Sequence, residues 1–272
     1  MIELQSTRFQ KTYYLKAGKG PALMLVHGFA EDHRIWQKQV SFLQHNFTVI
    51  VPDLPDSGKS HLPTETMSMD LLAAYLLEIL DQEEIQQIQL YGHSMGGYAA
   101  LAFAEKHASR LLSMGLIHSS AYDDDEEKKI NRRKSISLIQ SGQTGKEVFL
   151  KAMVPNLYGS EAGSTIPERM QEHLTMALEI PSESLVTYYQ ALINRPNRVN
   201  VLEQLQQPVL FVLGDEDKAV TLASGLDQCY IPQQSKVEIF RNTGHTSMNE
   251  NPQLLNETLL KFAYDVLELQ LT

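Results

Sequence analysis

The pentapeptide Gly92-His93-Ser94-Met95-Gly96 constrains this chain more than any other stretch. It follows the apolar run Ile88–Tyr91 and precedes a helical pattern over Met95–His107, so a buried strand passes into a helix through a turn of a few residues. A serine at such a turn adopts a strained backbone, and large side chains two positions to either side would clash. Gly92 and Gly96 remove that clash. The turn holds the Ser94 hydroxyl clear of the sheet, and the new helix directs its positive end at negative charge developing nearby. Ser94 is the candidate nucleophile.

The rest of the chain supplies a sheet for this turn. Short Leu/Val/Ile-rich runs at Leu23–Val26, Thr48–Val51, Ser113–Ile117, Val209–Leu213 and Val237–Phe240 read as buried parallel strands. Helical patterns such as Met69–Asp81 alternate with them, which makes the expected class α/β, a mostly parallel, doubly wound sheet. Ile2–Arg8 and Thr12–Lys16 alternate loosely and predict an antiparallel hairpin at the sheet edge. The last helix is expected over Pro252–Leu269, with Asn251 as its cap and Pro252 in its first turn.

Between Tyr122 and Gln206 the strand signals stop, and helical stretches are punctuated by glycines and prolines. Residues 122–206 are therefore expected to form a helical cap inserted between two late strands. Residues 1–121 and 207–272 would form the core beneath it. An insertion there overlies the carboxyl ends of the strands, where such sheets bind ligands.

Two further chemical groups follow late strands: Gly214-Asp215-Glu216-Asp217 after Val209–Leu213, and Thr243-Gly244-His245 after Val237–Phe240. The order is serine, acid, histidine. With His27-Gly28-Phe29, Asp53-Leu54-Pro55, Gly92 to Gly97, and Gly244-His245 ahead of Glu250 and Pro252, the chain resembles the α/β-hydrolase superfamily over nearly its whole length. That resemblance implies the α/β-hydrolase fold with Ser94 as nucleophile, His245 as general base and Asp217 as the acid that orients it. Asp215 is the nearer competitor, and Asp123 the substitute in relatives that carry the acid one strand earlier. The resemblance also implies an oxyanion hole built from the backbone N–H groups of Phe29 and Met95. The superfamily's usual Gly-His-Gly after Asp-Leu-Pro is replaced by Asp56-Ser57-Gly58. His27, His93 and His118 are read as packed, hydrogen-bonded groups.

Composition closes off other classes. At 272 residues with 43% hydrophobic and 21% charged residues, the chain can bury a core of its own. A net charge of −10 disfavours nucleic acid, and the one basic triplet, Arg132-Arg133-Lys134, follows Asp123–Glu127 as expected of a solvated helix face. The longest apolar runs, Leu71–Leu77 and Tyr98–Ala104, fall far short of the roughly 20 residues that span a bilayer. The N-terminus has no basic and apolar leader pattern, so the expected setting is cytoplasmic. The single cysteine, Cys229, reads as packing. No Cys pair or His-Glu-x-x-His is present, so neither metal nor cofactor is expected. Gly58-Lys59-Ser60 is not a phosphate loop, because Asp53 stands where the first glycine is needed.

The expected activity is hydrolysis of a small carboxylic ester or lactone through an acyl-enzyme on Ser94, with a small acyl compound as the partner molecule. Residues 191–198, leading to Pro208, are similar to capped carboxylesterases and the enol-lactonase-like group. Carbon–carbon bond hydrolases of the fold are the alternative, although they commonly carry a tryptophan where this chain reads Thr246-Ser247-Met248. Menaquinone-pathway lyases carry an arginine at the position of Tyr98. A receptor that keeps the triad and signals through a protein partner is a third reading. Sequence gives neither the natural substrate nor the oligomeric state.

Overall fold

The structure is a computed structural model and describes residues 1–61 and 66–270. Eight strands form one sheet: β1 Ile2–Glu3, β2 Tyr13–Ala17, β3 Ala22–Val26, β4 Thr48–Pro52, β5 Ile88–His93, β6 Leu111–Ile117, β7 Val209–Gly214 and β8 Ser235–Phe240. Their spatial order is β1-β2-β4-β3-β5-β6-β7-β8, with the β1–β2 and β2–β4 pairings antiparallel and the other five parallel. The edge hairpin is shorter than its alternation predicts. Ser6 Oγ accepts from the amides of Arg8 and Phe9, which turns the chain into a loop before the alternating run is finished.

The sheet is buried on both faces, and β3 shows how: Leu23 and Leu25 join one core, while Met24 and Val26 join the other. Helices α1 (Gln37–Leu43), α2 (Met69–Gln82) and α3 (Met95–His107) lie between the early strands. Between β6 and β7 come six helices in succession: α4 Glu126–Gln140, α5 Gln143–Asn156, α6 Ala162–Thr165, α7 Pro167–Glu179, α8 Ser182–Asn194 and α9 Val199–Gln204. After β7 come α10 (Leu222–Leu226), α11 (Ser247–Glu250) and α12 (Pro252–Leu269). Leu255, Leu259, Phe262, Ala263 and Val266 recur at helical spacing on α12 and bury one face against the Leu23/Leu25 side of the sheet. Pro252 opens α12 as expected, but Asn251 does not cap it through its side chain. Its Nδ2 donates instead to Thr243 Oγ1 and ties the helix to the loop that carries His245.

Candidate functional site

The turn after β5 has the strain its sequence requires. Ser94 sits at φ 48° and ψ −113°, in the left-handed half of backbone space. A Cβ on Gly92 would lie 2.2 Å from the Gly96 carbonyl carbon, and one on Gly96 would lie 2.4 Å from the Val26 oxygen. Both obstacles are backbone, so neither can move aside. The turn is pinned from β6: the Ser94 amide donates to the Ile117 carbonyl at 2.9 Å, and Ser119 Oγ donates to the Ser94 carbonyl at 2.7 Å.

Two late strands bring Asp217 and His245 together. His245 Nδ1 donates to Asp217 Oδ2 at 2.7 Å, while Asp217 Oδ1 accepts from the amides of Ala219 and Val220 at 2.8 and 2.9 Å. Burial opposes ionisation of Asp217, but the adjoining His245 and His118 outweigh it and hold the carboxyl well below the usual carboxylate range. Asp215, the nearer competitor, instead accepts from the Thr243 amide at 3.3 Å. Asp123 is exposed and pairs with Asn197.

Ser94 and His245 line one cavity of about 190 Å³, with Phe29, Tyr98, Met153, Leu157, Tyr189, Leu192, Ala219 and Val220 as its largely apolar wall. Among the described residues no hydrogen bond joins the Ser94 hydroxyl to His245, a contact that commonly tightens only when substrate is bound. Nor, among those residues, does a protein acceptor take the amide of Phe29 or Met95. A larger cleft of about 470 Å³, between Arg34–Gln37 and α7, contains neither Ser94 nor His245.

The cavity wall also includes a second acid–histidine pair. His93 Nδ1 lies 2.9 Å from Glu31 Oε2, and His93 Nε2 donates to the His245 carbonyl at 2.8 Å. A carbonyl only accepts, so Nε2 carries a proton, and a carboxylate partner requires one on Nδ1 as well. His93 is an imidazolium. Burial disfavours that charge, but Glu31 overrides it and lifts the pKa above the ordinary histidine value. Burial likewise raises Glu31, yet His93 and its other neighbours bring it to about 2. The same carboxylate accepts from the Gly28 amide at 2.6 Å, next to Phe29.

The remaining histidines divide by environment. His118 Nε2 meets Ser247 Oγ at 2.8 Å, and its Nδ1 lies 3.3 Å from Asp217 Oδ2 without the alignment of a hydrogen bond. Burial holds His118 at about 4, against the pull of Asp217. His27 accepts from the Leu54 amide at 3.0 Å and donates to its neighbour's carbonyl, Gly28 O, at 2.9 Å, so it is neutral and ties β3 to the end of β4. Among the described residues two groups have metal-ligand spacing, His118/Asp217/His245 and Asp32/His33/Asp53. In each, protein donors already take the carboxylate oxygens. Cys229 is buried and its thiol is pushed up to about 11, so it is a poor nucleophile at neutral pH.

Two residues have surroundings that the sequence pattern misjudges. Arg132 was expected on a solvated face, yet it lines the Ser94 cavity beside Tyr98 and Tyr189. Asp124, within the acidic run, is 3% exposed because it accepts from both Arg132 and Arg195. Helical spacing identifies the face a residue occupies only once the partner packed on it is known.

The family model described as the alpha/beta hydrolase fold matches residues 21–137. With this sheet order and this strand–turn–helix, the chain has the α/β-hydrolase fold. A thermophilic esterase from Thermogutta terrifontis, solved with malate bound, superposes with a TM-score of 0.89 at 28% identity, over 94% of this chain and 93% of that one. The enol-lactonase of Burkholderia xenovorans LB400 shares the fold with a TM-score of 0.86 at 20% identity, over 95% and 99%. By sequence the chain is 26% identical, over 93% of its length and 90% of the relative's, to a 2-hydroxy-6-oxononadienedioate/2-hydroxy-6-oxononatrienedioate hydrolase of Paraburkholderia phymatum. No helix among the described residues is long and apolar enough to cross a membrane.

Proposed function

We propose that the chain is a serine hydrolase of small carboxylic esters or lactones, with residues 122–206 acting as a cap over the cavity. The observation that carries this reading is the Asp217–His245 hydrogen bond beside the cavity that Ser94 and His245 share. His245 Nε2 takes the Ser94 proton as Oγ attacks the acyl carbon. Asp217 keeps the imidazole in the Nδ1–H tautomer and offsets the imidazolium charge. The amides of Phe29 and Met95 receive the oxyanion, a task for which a single donor is worth about 2.7–4 kcal/mol. The alcohol leaves with the proton from His245. Water, deprotonated by the same imidazole, then cleaves the acyl-enzyme to the acid and free Ser94. Ester and lactone chemistry has further support from the esterase and enol-lactonase neighbours.

The second reading is carbon–carbon bond hydrolysis, favoured by the Paraburkholderia relative. The test is fluorophosphonate labelling with the adduct located by mass spectrometry, beside turnover of short-chain esters. Labelling at Ser94 with ester turnover supports the first reading. Labelling with negligible ester turnover favours the second, and absence of labelling at Ser94 defeats both.

A further inference from the structure

One end of the Ser94 cavity carries a positive charge without its own counter-ion. Asp124 is the shared carboxylate of two guanidinium groups: Arg132 Nε donates to its Oδ2 at 2.5 Å, and Arg195 Nη2 donates to its Oδ1 at 2.9 Å. Two cations on one anion leave a charge of +1. Arg195 is sealed in, with its side chain 5% exposed, its Nη1 donating to the Leu192 carbonyl and its guanidinium carbon 4.1 Å from the Tyr98 ring centre.

Arg132 is the opposite case. Its side chain is 23% exposed and lines the cavity. Only Nε and Nη2 reach Asp124, the latter at 3.4 Å, and Nη1 has no protein partner among the described residues. The Arg132 guanidinium lies 5.3 Å from the Tyr189 ring centre, and Tyr189 stacks on Phe29 at 4.2 Å and 17°. The cation is thereby linked through the Tyr189 ring to Phe29, whose amide is the expected oxyanion donor. At the wall Glu31 is matched by His93, and the one negative charge left over, that of Asp217, sits behind His245 at the reacting centre, away from Asp124 and its two arginines. Aromatic faces soften the charge of a guanidinium but supply no counter-ion.

We propose that Arg132 is a substrate-binding residue and that the hydrolase prefers esters or lactones carrying a free carboxylate, which pairs with its unengaged N–H groups while the acyl carbon lies at Ser94. This deepens the hydrolase reading and rests on it. The planar fork of arginine suits a carboxylate, and the pairing is strengthened by the apolar wall. Esters of matched shape that lack the charge would leave the cation unpaired on binding, so discrimination of about 10- to 100-fold is expected.

The test compares monomethyl succinate, glutarate and adipate with the same methyl esters in which the free carboxylate is a neutral carboxamide, following acid release. At the best chain length the wild type should show about a 10-fold or greater advantage in kcat/KM for the charged ester. Arg132→Gln should bring that ratio toward one, and Arg132→Lys should keep part of it. A wild-type ratio near one, or a ratio untouched by Arg132→Gln, overturns the proposal. A second readout does not depend on turnover: protection of Ser94 from a fluorophosphonate by the free diacids, against their diamides. If no ester turns over but diacids protect the wild type and not Arg132→Gln, the ester reading fails and the anion site stands. If esters turn over with no charge preference and diacids give no protection, the anion site fails and the ester reading stands. If Arg132→Gln does not fold, Arg132→Lys carries the same comparison, and a wild-type ratio near one overturns the proposal without any variant.

Discussion

Glu31 and His93 form a buried ion pair, Oε2 to Nδ1 at 2.9 Å, that grips both sides of the site. The carboxylate holds the Gly28 amide beside the expected oxyanion loop, and the imidazolium holds the carbonyl of His245. Removing one partner of such a pair leaves a buried charge without its counter-ion. Glu31→Gln is therefore expected to lower stability by about 3–5 kcal/mol in denaturant unfolding and to reduce kcat more than it raises KM. A loss below 1 kcal/mol would show that His93 simply gives up its proton.

Strain at Ser94 gives a prediction in which stability and activity part. At φ 48° a non-glycine residue costs on the order of 1–3 kcal/mol, while glycine adds about 0.5–1 kcal/mol of unfolded-chain entropy. Ser94→Gly should abolish turnover and labelling yet leave the thermal midpoint unchanged or raised. A clearly lowered midpoint would mean that the hydroxyl holds the turn together.

The acid can be assigned by exchanging one oxygen for nitrogen. Asp217→Asn can no longer hold the Nδ1–H tautomer of His245, and kcat should fall by about 10³–10⁴. Asp215→Asn, whose partner is the Thr243 amide, should cost less than about tenfold. Comparable losses in both variants would reopen the assignment.

Gly96→Ala tests the packing of the turn against the sheet. Its methyl would meet the Val26 and His27 carbonyl oxygens at 2.4 and 2.7 Å. The expected result is loss of soluble, cooperatively folding protein, or a destabilisation above about 3 kcal/mol.

The buried His118 predicts how stability depends on pH. Its folded pKa of about 4 lies below the ordinary value of 6.5, so the unfolded chain takes up the proton first. Its contribution is full above 6.5 and is lost as the pH falls toward 4, an upper limit of roughly 3 kcal/mol. Glu31, held at about 2, adds a loss that begins lower, below about 4.5. Unfolding curves from pH 7 to 4 should therefore slope downward, and His118→Asn should flatten the part above pH 5. An unchanged slope would remove His118 from the account.

The parallel strands were legible in the sequence because a strand buried on both faces cannot alternate, and β3 and β7 are apolar throughout. The Ser94 turn was legible because glycine is the only residue that tolerates the approach to Val26 and Gly96. Glu31 was not, since an acid four residues after His27 reads as loop until His93 is seen beneath it. Arg132 was hidden by its own regularity. The Asp/Glu-then-Lys/Arg order that helix dipoles favour also describes a helix whose cation turns inward.

The backbone of Leu157 accepts from the His245 amide at 2.6 Å, and a side chain on Gly244 would strike Leu157, Tyr158 and Gly159. Gly159 and Ser160 donate onward to Glu250 and Glu216. This stretch is thus bolted to the histidine loop, and it cannot shift without carrying His245 away from Asp217.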